Sequence, residues 1–388
     1  MANTLTNLIP DLYEAVDVVS REMVGFIPSV SLMASAERAA VNENIRVPIT
    51  PAAAAENATP GQLPPDDGDQ VIGNNALTIS ASRIVPFRWT GDDQKGLNNQ
   101  IPNGGYAKLR QQQIQQAIRT LVNEIEGFMG GMYYGASRAE GTAGTTPFNP
   151  SNPLTDTANA LRILKDNGAP MGDLKLVIDT TAGANLRSHT QLTKANEAGT
   201  PTLRTQGILQ QLHGFDIRES AGVKQAVAVG SITGTVTVSG AAGATALTAT
   251  TAAGAAVNLL AGDIITLAGD TRQYVVAAAV SIAASSSGTI TIGAPGLRQT
   301  ASSAAPTVVA AATRNMAFAR SAIALATRLP ALPEEGDMAE DRIIITDSLS
   351  GMSFEFAMYL QYRRVRYEVG LAYGGAIIKP EHTALMLG

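Results

Sequence analysis

The segment from Tyr106 to Tyr134 limits the possible folds of this chain more than any other. Its large apolar residues, Ile114, Ile118, Leu121, Ile125, Phe128 and Met132, recur at alternating spacings of four and three, which is one stripe along an α-helix. The breaker run Ile101-Pro102-Asn103-Gly104-Gly105 precedes it, and glycines at 127, 130, 131 and 135 close it, each weakening a helix by about 1 kcal/mol relative to alanine. At 1.5 Å per residue the predicted rod is about 40 Å long, far beyond the mean globular helix of about 11 residues. Gln111, Gln112, Gln113, Gln115, Gln116, Arg119, Asn123 and Glu126 cover the other faces. The helix is therefore expected to lie on a surface as a strut, with a partner along its whole length.

Upstream, Pro10-Asp11 opens a short predicted helix with Leu12, Val16, Val19 and Met23 on one face, ended by Gly25 and Pro28. Ile45 to Ile49 alternates as a strand whose Pro48 belongs at an edge, and Leu77 to Trp89 is a second extended run. The stretch between them, Thr50 to Asn75, holds four prolines and the acidic tip Asp66, Asp67, Asp69. A structureless loop of that length does not suit a compact domain, so the sequence predicts an extended hairpin arm that reaches a neighbour. The acidic tip lacks the spacing and closing glutamate of a calcium loop and reads as a solvated loop end.

Beyond the rod, Leu154 to Asn167 reads as a helix with Gly168 past its end, Leu174 to Ile178 as a buried strand, and Asp179-Thr180-Thr181 as the cap of the next helix. Gly207 to Gly214 reads as a helical turn leading into a strand from Phe215 to Glu219. At Ala226 the composition changes. From there to Thr313 the only charged residues are Asp263, Asp270, Arg272 and Arg298, although 16% of the whole chain is charged. Short runs of apolar residues alternating with Thr and Ser, separated by glycine turns, predict an all-β barrel or sandwich. Asn315 to Ala319 then resumes the interrupted unit as a strand, and Ala322 to Arg328 carries helix-like apolar patterning. The β module is thus an insertion, and its ends near Ala226 and Thr313 are expected to lie side by side. Arg342 to Thr346, Phe354 to Gln361 and Ala376 to Pro380 close the chain as strands expected to pair antiparallel.

That order of parts resembles the major capsid protein of tailed phages. Local phrases similar to the family are GILQQLHGFDIRESAGV at 207–223, NMAFARSAIALATRLP at 315–330 and YGGAIIKPEH at 373–382. The inserted module, with LAGDIITLAG at 260–269, resembles the branch typified by a short-tailed Salmonella phage, in which a β-barrel interrupts the axial domain. The resemblance implies an α+β capsid fold divided into an N-terminal arm (1–42), an E-loop hairpin (43–94), a spine helix with the peripheral domain (95–172), a first axial part (173–225), the inserted β domain (226–313), a second axial part (314–338) and C-terminal strands (339–388). It implies self-assembly into hexamers and pentamers of an icosahedral head, with a scaffolding protein, a portal and decoration proteins as partners. Packaged DNA would be enclosed without sequence-specific binding, in a virion assembled in the host cytoplasm, with no membrane contact. The residues expected at subunit contacts are Asp66, Asp67, Arg83, Arg88, Arg119, Glu126, Arg363, Arg364 and Arg366. The last three, with Glu368, read equally as locally paired arginines of an edge strand.

The chemistry points the same way. Net charge is −5 over 388 residues, which gives no overall basic footprint for nucleic acid. Cysteine is absent, so disulfides and thiolate metal sites are excluded. His189, His213 and His382 are scattered without metal-ligand spacing, and there is no nucleophile elbow, Walker loop or dinucleotide fingerprint. An enzyme, a metal and a cofactor are therefore not expected. No lysine precedes Lys95, which rules out a lysine cross-link from the arm. Two alternatives stay open: an encapsulin-type shell, and a surface adhesion module built on the Thr-rich insertion.

Overall fold

The computed structural model describes residues 24–50, 60–61, 71–100, 105–149, 154–189, 211–346 and 351–388. The predicted helix around Leu12, most of the arm tip including Asp66 and Asp67, and the start of the turn at Gly207 lie outside the described residues. The chain begins with strands β1 (Ser31–Ala39), β2 (Asn44–Ile49), β3 (Gly73–Thr78) and β4 (Ala81–Thr90), followed by helices α1 (Gly91–Gln100) and α2 (Gly105–Gly130). β2 and β3 form a two-stranded antiparallel ribbon in which Asn44 faces Thr78 and Pro48 faces Asn74. This is the expected hairpin, with one correction. The extended run from Leu77 to Trp89 breaks at Ile79-Ser80, and β4 leaves the ribbon to pair with a strand of the body.

The long helix is present as α2 and continues as a 3₁₀ turn, Gly131–Gly135. Ile114, Ile118, Leu121, Ile125 and Met132 are buried in the main core, with Phe128 packed against it. At roughly 1.5–3 kcal/mol for each large apolar side chain, the stripe contributes on the order of 10 kcal/mol gross. The terminal glycines have separate roles. A Cβ on Gly130 would run into the backbone carbonyl of Gly222, so glycine there admits a neighbouring chain segment, whereas Gly127 meets only the Lys224 Nζ at 3.9 Å. Gly130→Ala should therefore lose about 2–3 kcal/mol by overpacking, while Gly127→Ala should gain up to about 1 kcal/mol of helix propensity. Urea midpoints measured side by side check the opposite signs.

The next elements are β5 (Arg138–Glu140), α3 (Thr155–Asp166), β6 (Leu174–Ile178), α4 (Thr180–Ser188) and β7 (Phe215–Glu219). Gly168 follows α3 at φ 76°, and the Asp179 side chain caps α4 by accepting from the backbone of Thr181 and Ala182. The segment 226–313 supplies β8 (Ser231–Thr233), β9 (Val236–Gly240), β10 (Ala246–Thr251), β11 (Ala256–Leu259), β12 (Ile264–Leu267), β13 (Gln273–Val275), β14 (Val280–Ile282), β15 (Ser287–Thr291), β16 (Ala301–Ala304) and β17 (Pro306–Val308). The chain ends with β18 (Arg314–Ala319), β19 (Ile323–Pro330), β20 (Ala339–Thr346), β21 (Ser353–Gln361), β22 (Arg364–Ile377) and β23 (Thr383–Leu387).

Two sheets build the body. One runs β1-β19-β22-β21-β20, with β4 along the far side of β22, and its apolar face rests on α2. The other runs β17-β12-β13-β5-β23-β18-β6-β7 and carries α3 and α4 over a second core. The region read as helix-like, Ala322 to Arg328, is strand β19. An apolar run buried on both faces has no periodicity to separate the two forms. The predicted final strand, Ala376 to Pro380, is the end of β22 followed by a 3₁₀ turn, and β23 is the true last strand.

The segment 226–313 is all β, and its ends lie side by side: the Val227 N–H donates to the Ala312 carbonyl at 3.4 Å and the Arg314 N–H to the Lys224 carbonyl at 2.9 Å. It has its own core, including Val238, Leu247, Val257, Tyr274 and Ile290. It is nevertheless continuous with the body. β13 pairs with β5, and Ile264 and Val275 turn away from the insertion core into the main one.

Candidate assembly surfaces

The arm ribbon is fixed at its root. The Ile79 N–H donates to the Glu43 carbonyl at 2.9 Å, the Ser80 N–H to the Tyr373 carbonyl at 2.9 Å, and the Asn75 side chain to the Ile378 carbonyl at 3.0 Å. Leu77 and Ile79 are buried with Ala324, Ala326 and Ala372 in a small core of their own. Next to its last pair, Ile49 with Gly73, Val71 and Ile72 are both well exposed.

Glu126 departs from the expected solvent-facing position. It is 5% exposed, and its carboxylate accepts from the N–H groups of Gly25 (2.6 Å), Phe26 (2.6 Å) and Ile27 (3.2 Å) and from the Ser220 hydroxyl (2.5 Å). The three N–H groups open a 3₁₀ turn, Ile27–Ser29, where an anion is favoured by both hydrogen bonding and the local dipole. Phe26 and Val30 are fully buried beside it. Glu126 thus fastens the root of the N-terminal segment and the 220–223 loop to the long helix. The signal in the sequence is the run of glycines that follows it, which marks a helix face approached closely by other backbone.

The other candidate residues line the helix-backed sheet. The Arg83 Nε donates to the Glu124 Oε1 at 2.6 Å, and the Tyr373 hydroxyl donates to the same oxygen at 3.0 Å. Burial and then the Glu124 hydrogen bond push the Tyr373 hydroxyl up to about 12, while the attraction of Glu124 raises the already high pKa of the exposed Arg83. The Trp89 indole donates to Gln113 at 2.7 Å, so side chains on both sides of the interface tie β4 to α2. Arg119 is exposed on the outer side of the helix.

On the opposite, polar face of this sheet, Arg366 stands across from Arg88 on β4 and Tyr359 on β21. Arg366 pairs with Glu368, Arg342 with Glu355 at 3.0 Å and with Asp337, and Arg38 with Glu355 at 2.6 Å. Local pairing therefore accounts for Arg366. Arg88, Arg363 and Arg364 are exposed and make no ion pair among the described residues. The Asp337 carboxyl is held below the usual range: partial burial opposes this, and hydrogen bonds from Tyr359, the Ala339 N–H and Arg342 outweigh it.

The histidines are far apart in their surroundings: His213 Nδ1 lies 2.8 Å from the Thr157 hydroxyl, His189 is buried at the end of α4, and burial lowers the pKa of His382. Among the described residues no group of three or more His, Asp or Glu is placed to hold a metal, and no helix is long and apolar enough to cross a membrane.

No family model matches the chain, and no curated protein matches it. Solved structures do. The capsid of the cyanophage P-SCSP1u is similar over 92% of this chain and 86% of that one, with 9% identity and a TM-score of 0.50. Mycobacterium phage Che8 is similar over 88% and 84%, with 14% identity and a TM-score of 0.45. The mature capsid of bacteriophage PhiM1 is similar over 94% and 86%, with 10% identity and a TM-score of 0.46. Identities this low speak to fold alone. The cyanophage likeness covers 92% of this chain, and the chain has the fold of a phage capsid subunit.

Proposed function

We propose that this chain is the major capsid protein of a tailed double-stranded DNA phage, a structural and non-enzymatic subunit that assembles with itself into an icosahedral head. The observation that carries the reading is a capsid fold matched over 92% of the chain. The ribbon and α2 suit repeated heterologous contact, in which each copy lies against the next and closure follows from the geometry of the contact. Hexamers and pentamers, a scaffolding protein, a portal and decoration proteins belong to this reading. So does DNA enclosed without sequence-specific grip, which agrees with a net charge of −5.

The assigned parts follow the ranges given by the sequence, with 43–94 as the arm and 226–313 as an insertion of the barrel-bearing branch. The pairing of β4 with β22 favours moving the arm's far boundary back to about residue 79. Electron microscopy of the purified chain tests the function. Uniform hollow shells are the expected result, and a chain that stays monomeric with and without a scaffolding partner overturns it.

A further inference from the structure

The hairpin of β21 and β22 ends in a turn formed by Tyr362 and Arg363, closed by the Gln361 and Arg364 pair. On one flank lies β4, with Arg88 across from Arg366 and the Gly91 N–H donating to the Arg363 carbonyl at 3.4 Å. On the other lies β20, preceded by Glu334, Glu335 and Asp337 and containing Glu340 and Asp341. Three strand spacings separate the flanks, about 14 Å.

The charges of the tip differ from those of the sheet behind it. Behind it, arginines and glutamates neutralise one another within the chain. At the tip, Arg88, Arg363 and Arg364 on one flank and Glu334, Glu335 and Glu340 on the other are exposed and form no ion pair among the described residues. Asp92, Asp93 and Lys95 at the start of α1 leave the first flank net positive. Met338, 87% exposed, stands within the acidic flank, and Tyr362, 89% exposed, stands in the turn beside Arg363, with Leu360 half exposed on β21. Large apolar side chains set among unpaired charges mark a surface for a macromolecule. A partner of one sign, such as nucleic acid, would be repelled by one flank. A second copy of this chain is attracted by both, provided the flanks meet in opposite order.

We propose that the acidic flank (Glu334, Glu335, Glu340) of one copy docks against the basic flank (Arg88, Arg363, Arg364) of the next, with Met338 and Tyr362 packed between them. The contact joins unlike flanks, so each copy can engage one neighbour with each flank, and a ring forms where the rotation between copies closes. This rests on the shell-subunit reading and names the residues that would join its copies.

Two charge-reversed chains test it, Arg363→Glu with Arg364→Glu, and Glu334→Lys with Glu335→Lys. Each alone presents two flanks of one sign, and each is expected to lose self-association at least tenfold while keeping native circular dichroism. Mixed one to one they should associate again, and the chain carrying all four changes should assemble by itself. Sedimentation velocity of the mixture reads the contact directly, whereas shells of the unchanged protein read the function, so the two can fail separately. Either reversed chain assembling normally overturns the proposal, as does failure of both mixture and fourfold variant to recover, which would assign the flanks to another partner. If a reversed chain misfolds, Arg363→Gln with Arg364→Gln and Glu334→Gln with Glu335→Gln replace it. Undiminished association of either neutral pair then overturns the contact.

Discussion

Replacing Glu126 by alanine should destabilise the subunit by about 3 kcal/mol or more, the largest loss expected from any single polar substitution described above. Four donors converge on this carboxylate: three backbone N–H groups of residues 25–27 and the Ser220 hydroxyl. Each unsatisfied buried donor costs roughly 1–3 kcal/mol, and water entering the space left behind recovers part of the total. Backbone donors cannot be repacked away, because Phe26 and Val30 fix the turn from the apolar side. Glu126→Gln keeps the shape and one acceptor oxygen but turns an NH₂ toward an N–H, so it should fall between alanine and the native residue. Asp at this position is a methylene short and should resemble glutamine or worse. Denaturant unfolding of the unassembled subunit measures the series, and an alanine variant within about 0.5 kcal/mol of the native chain would show that the junction is held by Phe26 and Val30 alone.

Glu126 also shows where sequence reading stops. The stripe of α2 was legible because a 3.6-residue period survives in a helix buried on one side, and the ribbon was legible from two alternating runs around a proline-rich span. The strands between residues 231 and 308 were legible from short apolar runs alternating with Thr and Ser and from the scarcity of charge. Period says nothing about which polar residue turns inward to meet backbone from a segment 100 residues away. The same limit explains β19. Its residues Ile323 to Thr327 are all buried, so neither alternation nor a helical stripe remains to be read. The run from Leu77 to Trp89 contains no breaker at Ile79-Ser80, and only the competing partner β22 reveals the switch of sheets. β5 is three residues long and gains its identity from β13 and β23 on either side. Among the residues expected at subunit contacts, Arg88, Arg363 and Arg364 are exposed, and Arg366 pairs with Glu368 two residues along the same strand.

The largest functional effect should come from the arm. Joining Ile49 to Gly73 through a short Gly-Ser turn in place of residues 50–72 is expected to leave the subunit folded and to abolish shell formation. The root does not depend on the removed residues: Asn44 to Ile49 remain opposite Gly73 to Thr78, and Leu77, Ile79 and Asn75 keep their places against the body. Shortening the connection from 23 residues to about four lowers the closure entropy by about 1.5 kcal/mol, so the melting temperature should hold or rise slightly. Ordering a connection of this length costs conformational entropy, which contacts with a neighbouring copy would offset. Val71 and Ile72, both well exposed, are the first candidates for that contact. Circular dichroism and thermal melting establish that the shortened chain is folded, and electron microscopy under the conditions that assemble the native chain reads the shell. Shells of normal size and stability from the shortened chain would make the arm a passive loop. Assembly would then have to rest on the flanks of the β21–β22 tip and the outer side of α2. A folded chain that forms only small rings would divide the work differently, leaving ring closure to the tip and the joining of rings to the arm.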